Sequence, residues 1–185
     1  MEVGPKKFTL TNEVNIDKFL GIEINHLDEK RFKISQPFLI ERIISFLDID
    51  TNDFGLVTNS KSTPIGKSIL HKDLSGKHCK ENWNYRIAVG MLTHLKGNSR
   101  PEMSMAVHQT ASFSNNPMLS YEKALKRLGR YLLHTKRDGT IYNPDTQKGL
   151  ECYVDADFAG GWQQADSSNA DNIIPRNGMV IMYAN

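Results

Sequence analysis

Cysteine is scarce in this chain: two residues in 185, Cys79 and Cys152, with no C-x-x-C pairing. That spacing excludes a disulfide scaffold and the common zinc ribbons, and it fits a reducing, intracellular setting. Long apolar runs are missing as well. No stretch is long enough to cross a bilayer, and the opening "MEVGPKKFTL" lacks the apolar segment of a secretory signal, so the sequence predicts an intracellular, unanchored protein. There is no internal repeat, no low-complexity tract and no serine set in a nucleophile elbow. "NSKSTPIGKS" ends like a phosphate loop at Gly66-Lys67-Ser68, but Lys61 stands where that motif needs its first glycine. The six histidines are scattered; only His71 and His78 with Cys79 form even a loose cluster, without paired ligand spacing.

What the chain does have is a strongly uneven charge. Residues 1–75 carry 10 Lys/Arg against 11 Asp/Glu, residues 76–137 carry 11 against 3, and residues 138–185 carry 2 against 7. A basic middle therefore precedes an acidic tail, although the net charge is only +2.

Periodicity supplies the elements. "KKFTL", "KFLGIEI" and "RFKIS" read as strands, with a hairpin around His26 to Glu29. "QPFLIERIISFLDI" changes to helical spacing behind Pro37. A polar, irregular connection is expected from Asp48 to about Asn82. Three helices follow in "WNYRIAVGMLTHLKG", "RPEMSMAVHQTASFS" and "SYEKALKRLGRYLLHT", the last with Ser120 as its N-cap and Ala124, Leu125, Leu128 and Leu132 as its buried side. "GLECYVDAD" and "GMVIMY" read as strands around a polar loop from about Gly160 to Asn177.

Two patterns carry chemistry. On the last helix Lys123, Lys126, Arg127, Arg130 and His134 recur at three- and four-residue spacing, making one cationic stripe. Together with Arg86, Lys96 and Arg100 it suits a phosphate backbone, where each neutralised phosphate adds salt-sensitive affinity. A solvated helix face has the same appearance. The second pattern is Asp155 and Asp157 in "YVDADFAGGW": strand alternation puts them on one face, roughly 6 to 7 Å apart along the chain, close enough to share a cation. Trp162, just beyond, is a candidate for stacking on a base.

Several pieces, in order from about Phe8 to Ile181, resemble the C-terminal half of the reverse transcriptase region in copia-type LTR retrotransposon Pol polyproteins. "KFLGIEI" looks like that family's "Y-F-L-G-I-E-I", "FKISQPFLIERII" like its "I-x-L-S-Q-x-x-Y-I-x-x-I-L", and Thr63-Pro64 like its "T-P" marker. "YRIAVGMLTHLKGNSRPEMSMAV" is similar to its "Y-R-x-x-V-G-x-L-x-Y-L-x-x-T-R-P-D-I-x-x-A-V", and "ALKRLGRYLLHTKRDGTIY" to its "A-x-x-R-x-L-R-Y-L-x-x-T-x-x-x-G-L-x-Y". "YVDADFAG" closes the series like "Y-x-D-A-D-W-A-G".

The resemblance implies an α+β chain in three parts. Residues 1–82 would be the end of a polymerase palm with a primer-grip-like hairpin, 83–142 a helical thumb or connection region, and 143–185 the first strands of a ribonuclease H-like domain. Asp155 then matches the first catalytic carboxylate of that domain, Asp155 and Asp157 are the metal candidates, and Mg²⁺ is the family's ion. Two departures matter. The polymerase "Y-x-D-D" is absent, since in "YVDAD" Ala156 separates the carboxylates, and the later ribonuclease H carboxylates are also absent, with Asp166 and Asp171 matching no ligand. The resemblance therefore implies a catalytically incomplete fragment that binds RNA, DNA or a hybrid through Lys123, Lys126, Arg127, Arg130, Arg86 and Arg100. The alternatives are a repurposed protein-interaction module and a Mg²⁺-dependent ribonuclease H completed by another chain. The missing polymerase segments or another Pol chain are the implied protein partners.

Overall fold

The computed structural model describes residues 17–49, 63–66, 70–79, 84–145, 147–157 and 176–183. The expected strand "KKFTL", Trp162, Asp166 and Asp171 lie outside these residues.

The core is built from helices. α1 (Pro37–Phe46) starts on Pro37, whose fixed φ suits a first turn, and it buries Ile40, Ile43 and Ile44 along one side. α2 (Tyr85–Asn98) is capped by Asn84, whose Oδ1 accepts the Ile87 N–H at 3.1 Å. A single 3-10 turn (Pro101–Met103) leads into α3 (Ser104–Ala111). α4 (Leu119–His134) buries Leu125, Leu128 and Leu132 as its spacing predicts, together with Tyr121, Glu122, Tyr131 and Leu133. These four helices and Ile49 share one hydrophobic cluster, so residues before and after position 82 belong to the same core. α1 reaches α4 closely at Gly129, where a Cβ would stand 2.9 Å from the side chains of both Leu47 and Ile49.

The N-cap of α4 differs from expectation. Met118 occupies the cap position and gives no side-chain hydrogen bond, while Ser120 lies inside the first turn and donates instead to Asp73 Oδ2 at 2.7 Å. The start of α4 is held from outside the helix: Leu119 N–H donates to Lys77 O, Cys79 N–H to Pro117 O, and His78 and Met118 form an antiparallel bridge. The connection after α1, expected to be irregular, is thus fastened to α4 over residues 71–79.

Beside the helices lies a four-stranded antiparallel sheet in the order β1 (Lys18–Phe19), β2 (Ile22–His26), β3 (Phe32–Ser35), β4 (Thr140–Tyr142). "KFLGIEI" is not one strand. Leu20 and Gly21 both take positive φ, 49° and 81°, and turn the chain back in a two-residue hairpin. β4 was not legible as a strand, yet it closes the sheet by pairing Lys33 with Ile141. Gly139 makes that pairing possible, because a Cβ there would sit 2.2 Å from the Ile34 carbonyl oxygen.

β5 (Leu150–Asp157) and β6 (Arg176–Tyr183) form a separate antiparallel hairpin with Asp155 opposite Gly178. Alternation places Leu150, Cys152, Val154, Met179, Ile181 and Tyr183 on one face, and all six are exposed. The chain is α+β. Among the described residues no helix is long and apolar enough to cross a membrane.

Candidate nucleic-acid interface

α4 positions the basic stripe. At 3.6 residues per turn, Lys123, Lys126, Arg127, Arg130 and His134 fall within an arc of about 100°, opposite the leucines that enter the core. The five residues do not face water equally. Lys123 and His134 are exposed; Lys126, Arg127 and Arg130 are half-buried.

Two of the cations have internal partners. Lys126 Nζ pairs with Glu122 Oε1 at 3.1 Å, one turn back, and Glu122 is buried with its second oxygen, Oε2, unmatched. Removing this lysine would leave a carboxylate in the interior with no counter-charge. A terminal nitrogen of Arg127 donates to both the carbonyl and the hydroxyl of Thr63, at 3.3 and 3.2 Å. Thr63 Oγ1 spends its own proton on Ile65 O at 3.1 Å, so its lone pairs face the guanidinium. The Thr63-Pro64 pair, noted in the sequence only as a marker, therefore fixes an arginine of the basic face. The other guanidinium nitrogens of Arg127 remain uncommitted among the described residues, Nε being buried.

Arg86 is exposed and leans across to the end of α3, donating to Ser114 O and Asn115 Oδ1, both at 3.1 Å. Arg100 does not join the basic face. It is 1% exposed, with Nε on Glu102 Oε1 at 2.6 Å, one terminal nitrogen on Thr135 O at 2.9 Å and the other on Thr135 Oγ1 at 2.7 Å. Its guanidinium also lies 5.3 Å from the centre of the Tyr131 ring. This buried guanidinium, with three of its five N–H groups engaged, ties the corner between α2 and α3 to the end of α4 and is closed off from the surface a phosphate would approach. Lys136 and Arg137, counted in the sequence only as charge, continue the basic surface past α4: Lys136 pairs with Glu41, and Arg137 O accepts from Lys33 Nζ at 3.3 Å.

The acidic candidates lie on the hairpin. Asp155 is exposed on β5, on the face that also carries Glu151 and Tyr153. Tyr153 donates its hydroxyl to Glu151 Oε2 at 3.1 Å, and that carboxylate holds the phenol above its ordinary pKa. Asp157 pairs through its backbone with Arg176 at the end of the hairpin. Among the described residues no three His, Cys, Asp or Glu side chains come together as a metal site, so the set described does not fit a two-metal centre. His71, His78 and Cys79 likewise supply no such group. Cys79 Sγ donates to Met118 O at 3.1 Å, and burial, followed by the charge of Glu122, pushes its thiol up.

Two polar residues were missed by sequence reasoning. Gln109 sits on α3 at what reads as a polar helical position, yet it is 8% exposed. Asp73 lies in the connection, where nothing marked it; its backbone N–H donates to Tyr121 Oη at 2.6 Å and its carboxylate accepts from Ser120.

The chain is 26% identical to the Retrovirus-related Pol polyprotein from transposon RE1 of Arabidopsis thaliana, over 95% of this chain and 11% of that protein. It is 29% identical to the Retrovirus-related Pol polyprotein from transposon TNT 1-94 of Nicotiana tabacum, over 88% of this chain and 12% of that protein. A transposon Ty5-1 protein of Saccharomyces cerevisiae is 26% identical over 82% of this chain and 47% of its own length. The chain thus spans about a ninth of the length of the Pol polyproteins it matches. No family model and no solved structure matches it. Over most of its length the chain is thus similar, at 26 to 29% identity, to several retrovirus-related Pol polyproteins and transposon proteins.

Proposed function

We propose that this chain corresponds to the closing part of a reverse transcriptase region running into the start of a ribonuclease H-like domain, and that it binds a nucleic-acid duplex, such as an RNA/DNA hybrid, along α4. The observation that carries the reading is the arc of cations on α4, with Lys123 exposed and Arg127 held by Thr63. The order of the motifs and the names of the relatives support the same parentage. In this reading β1 to β3 are the remnant of the palm and primer grip, and β5 and β6 open the ribonuclease H-like part, with Asp155 in the place of its first carboxylate. Mg²⁺ would serve the parent chemistry; the described side chains supply no clamp for it, and no catalytic step is assigned to them.

Duplex binding rises as salt falls, with a logarithmic slope of about −0.9 for each phosphate neutralised. Lys123→Gln with Arg130→Gln should flatten that slope by about 2 while leaving the fold intact, because neither side chain enters the core cluster. An affinity indifferent to salt, or unchanged in the double variant, refutes the reading.

A second reading, a protein-interaction module or a partner of other Pol segments, is favoured by the exposed apolar face of the β5–β6 hairpin. A two-stranded ribbon is marginal in water unless something covers it. Resistance of the hairpin to proteolysis in the isolated chain would count against this second reading.

A further inference from the structure

A groove of about 240 Å³ lies between residues 64–66 and 70 on one side and α3 and α4 on the other. Its walls are apolar, formed by Ile65, Leu70, Ala106, Ala124 and Leu128. Five polar side chains border it, and two of them are already engaged: Ser120 donates to Asp73, and Thr110 Oγ1 bonds back to Val107 O at 2.9 Å. The other three, Lys123, Arg127 and Gln109, keep hydrogen-bonding capacity among the described residues, Arg127 giving one terminal nitrogen to Thr63. Lys123 and Arg127, one helical turn apart on α4, bring two positive charges to the rim. Gln109, more than nine-tenths buried, lines the groove and its amide has no hydrogen-bond partner among the described residues.

A primary amide with neither its donor nor its acceptor engaged by the described residues, held on a side chain that is otherwise packed, is available to a ligand entering the groove. The groove therefore presents a donor–acceptor edge, flat apolar walls and a cationic rim in one small space. That combination fits a nucleotide unit: a heteroaromatic base whose polar edge pairs with an amide, as glutamine pairs with a base edge, and a phosphate that sits on a lysine and an arginine. The volume is below that of a typical drug-sized pocket, which suits one base rather than a stacked pair.

We infer that this groove receives a single unpaired nucleotide, its base edge on the Gln109 amide and its phosphate on Lys123 and Arg127. The inference rests on the duplex-binding reading for where the nucleotide comes from, a strand end or a displaced base beside the α4 face. Thr63 is a positioning residue in this arrangement, since its carbonyl and hydroxyl orient Arg127 from the far side.

Titration of the full chain with each 5′-nucleoside monophosphate, followed by NMR of the Gln109 side-chain amide, tests the groove directly. The amide resonance should move for at least one base, and inorganic phosphate should leave it in place. Gln109→Leu, which keeps the shape and removes the amide, should weaken that binding about three- to tenfold. Ala124→Leu, which fills the groove with a good helix former, should weaken it further. An amide that never moves overturns the inference, as does a response fully reproduced by inorganic phosphate or unaffected by both variants. Blunt-duplex binding in the same buffer reports the broader reading separately: it should survive Gln109→Leu, and its absence beside intact mononucleotide binding would sink the duplex proposal alone.

Discussion

Replacing Arg100 by methionine separates two roles that one arginine can have. Arg100 makes three charge-assisted hydrogen bonds, to Glu102 and to the carbonyl and hydroxyl of Thr135, and lies over Tyr131. Bonds of this kind contribute about 1.5 to 3 kcal/mol each, and methionine recovers part of that by packing its apolar chain in the same space. Glu102 is 43% exposed at its side chain, so it regains water when its partner leaves, whereas the Thr135 carbonyl loses an acceptor role in a half-buried place. A net loss of about 3 to 5 kcal/mol follows from the three lost bonds less the packing that methionine recovers. Set against a total stability of about 5 to 15 kcal/mol, this is a large fraction. With a urea slope of about 2 kcal/mol per molar, the midpoint followed by far-UV circular dichroism should fall by roughly 2 M. Arg100→Lys keeps the charge but loses the planar fork and should recover less than half of the loss. Duplex affinity of the folded fraction should not change. A stability loss below about 1 kcal/mol would refute this account, as would a folded variant whose salt slope drops by about one phosphate.

Gly139→Ala should unfasten β4 from β3, because the new methyl would meet the Ile34 carbonyl oxygen at 2.2 Å; amide exchange at Lys33 and Ile141 should speed up by at least tenfold. Lys126→Met should cost about 2 to 3 kcal/mol by stranding the Glu122 carboxylate, and Lys126→Met with Glu122→Leu should recover most of it, measured by urea unfolding of the single and double variants. Asp28, whose carboxylate accepts the N–H groups of Arg31 and Lys30 and then the Arg31 side chain, is held down to about 2. Because its folded pKa is depressed, what it adds to the β2–β3 turn is fully present above about pH 4 and disappears as pH falls through 2; Asp28→Asn should abolish that pH dependence in an NMR titration of the turn. Tyr85, buried and donating to Thr110 O at 2.8 Å, is pushed up past the ordinary phenol range, so it stabilises the fold at neutral pH and loses that contribution in strong alkali; Tyr85→Phe should remove this alkaline component from the unfolding profile.

The helices were legible because burial imposes a period. Ile40, Ile43 and Ile44, or Leu125, Leu128 and Leu132, are spaced as a helix flank requires, and packing left that spacing intact. The stripe on α4 followed from the same arithmetic. Its partners did not. Thr63 reaches Arg127 across 64 positions and Asp73 reaches Ser120 across 47, and no local pattern encodes contacts of that range. Leu20 shows a different limit: apolar residues on both sides of Gly21 suggested a continuous strand, while the glycine's turn-forming capacity decided the outcome. Arg100 looked like a phosphate ligand because charge in a sequence carries no sign of burial.

The join of α1 to α4 has a consequence for how the chain comes into being. Ile40, Ile43 and Ile44 find their neighbours on a helix that ends about 90 residues later, and β3 has its second partner only after residue 140. At synthesis rates of about 5 to 20 residues per second, α1 waits roughly 5 to 20 s for α4, with only α2 to pack against in the meantime. During that interval it is a segment that a chaperone or a protease meets before α4 does.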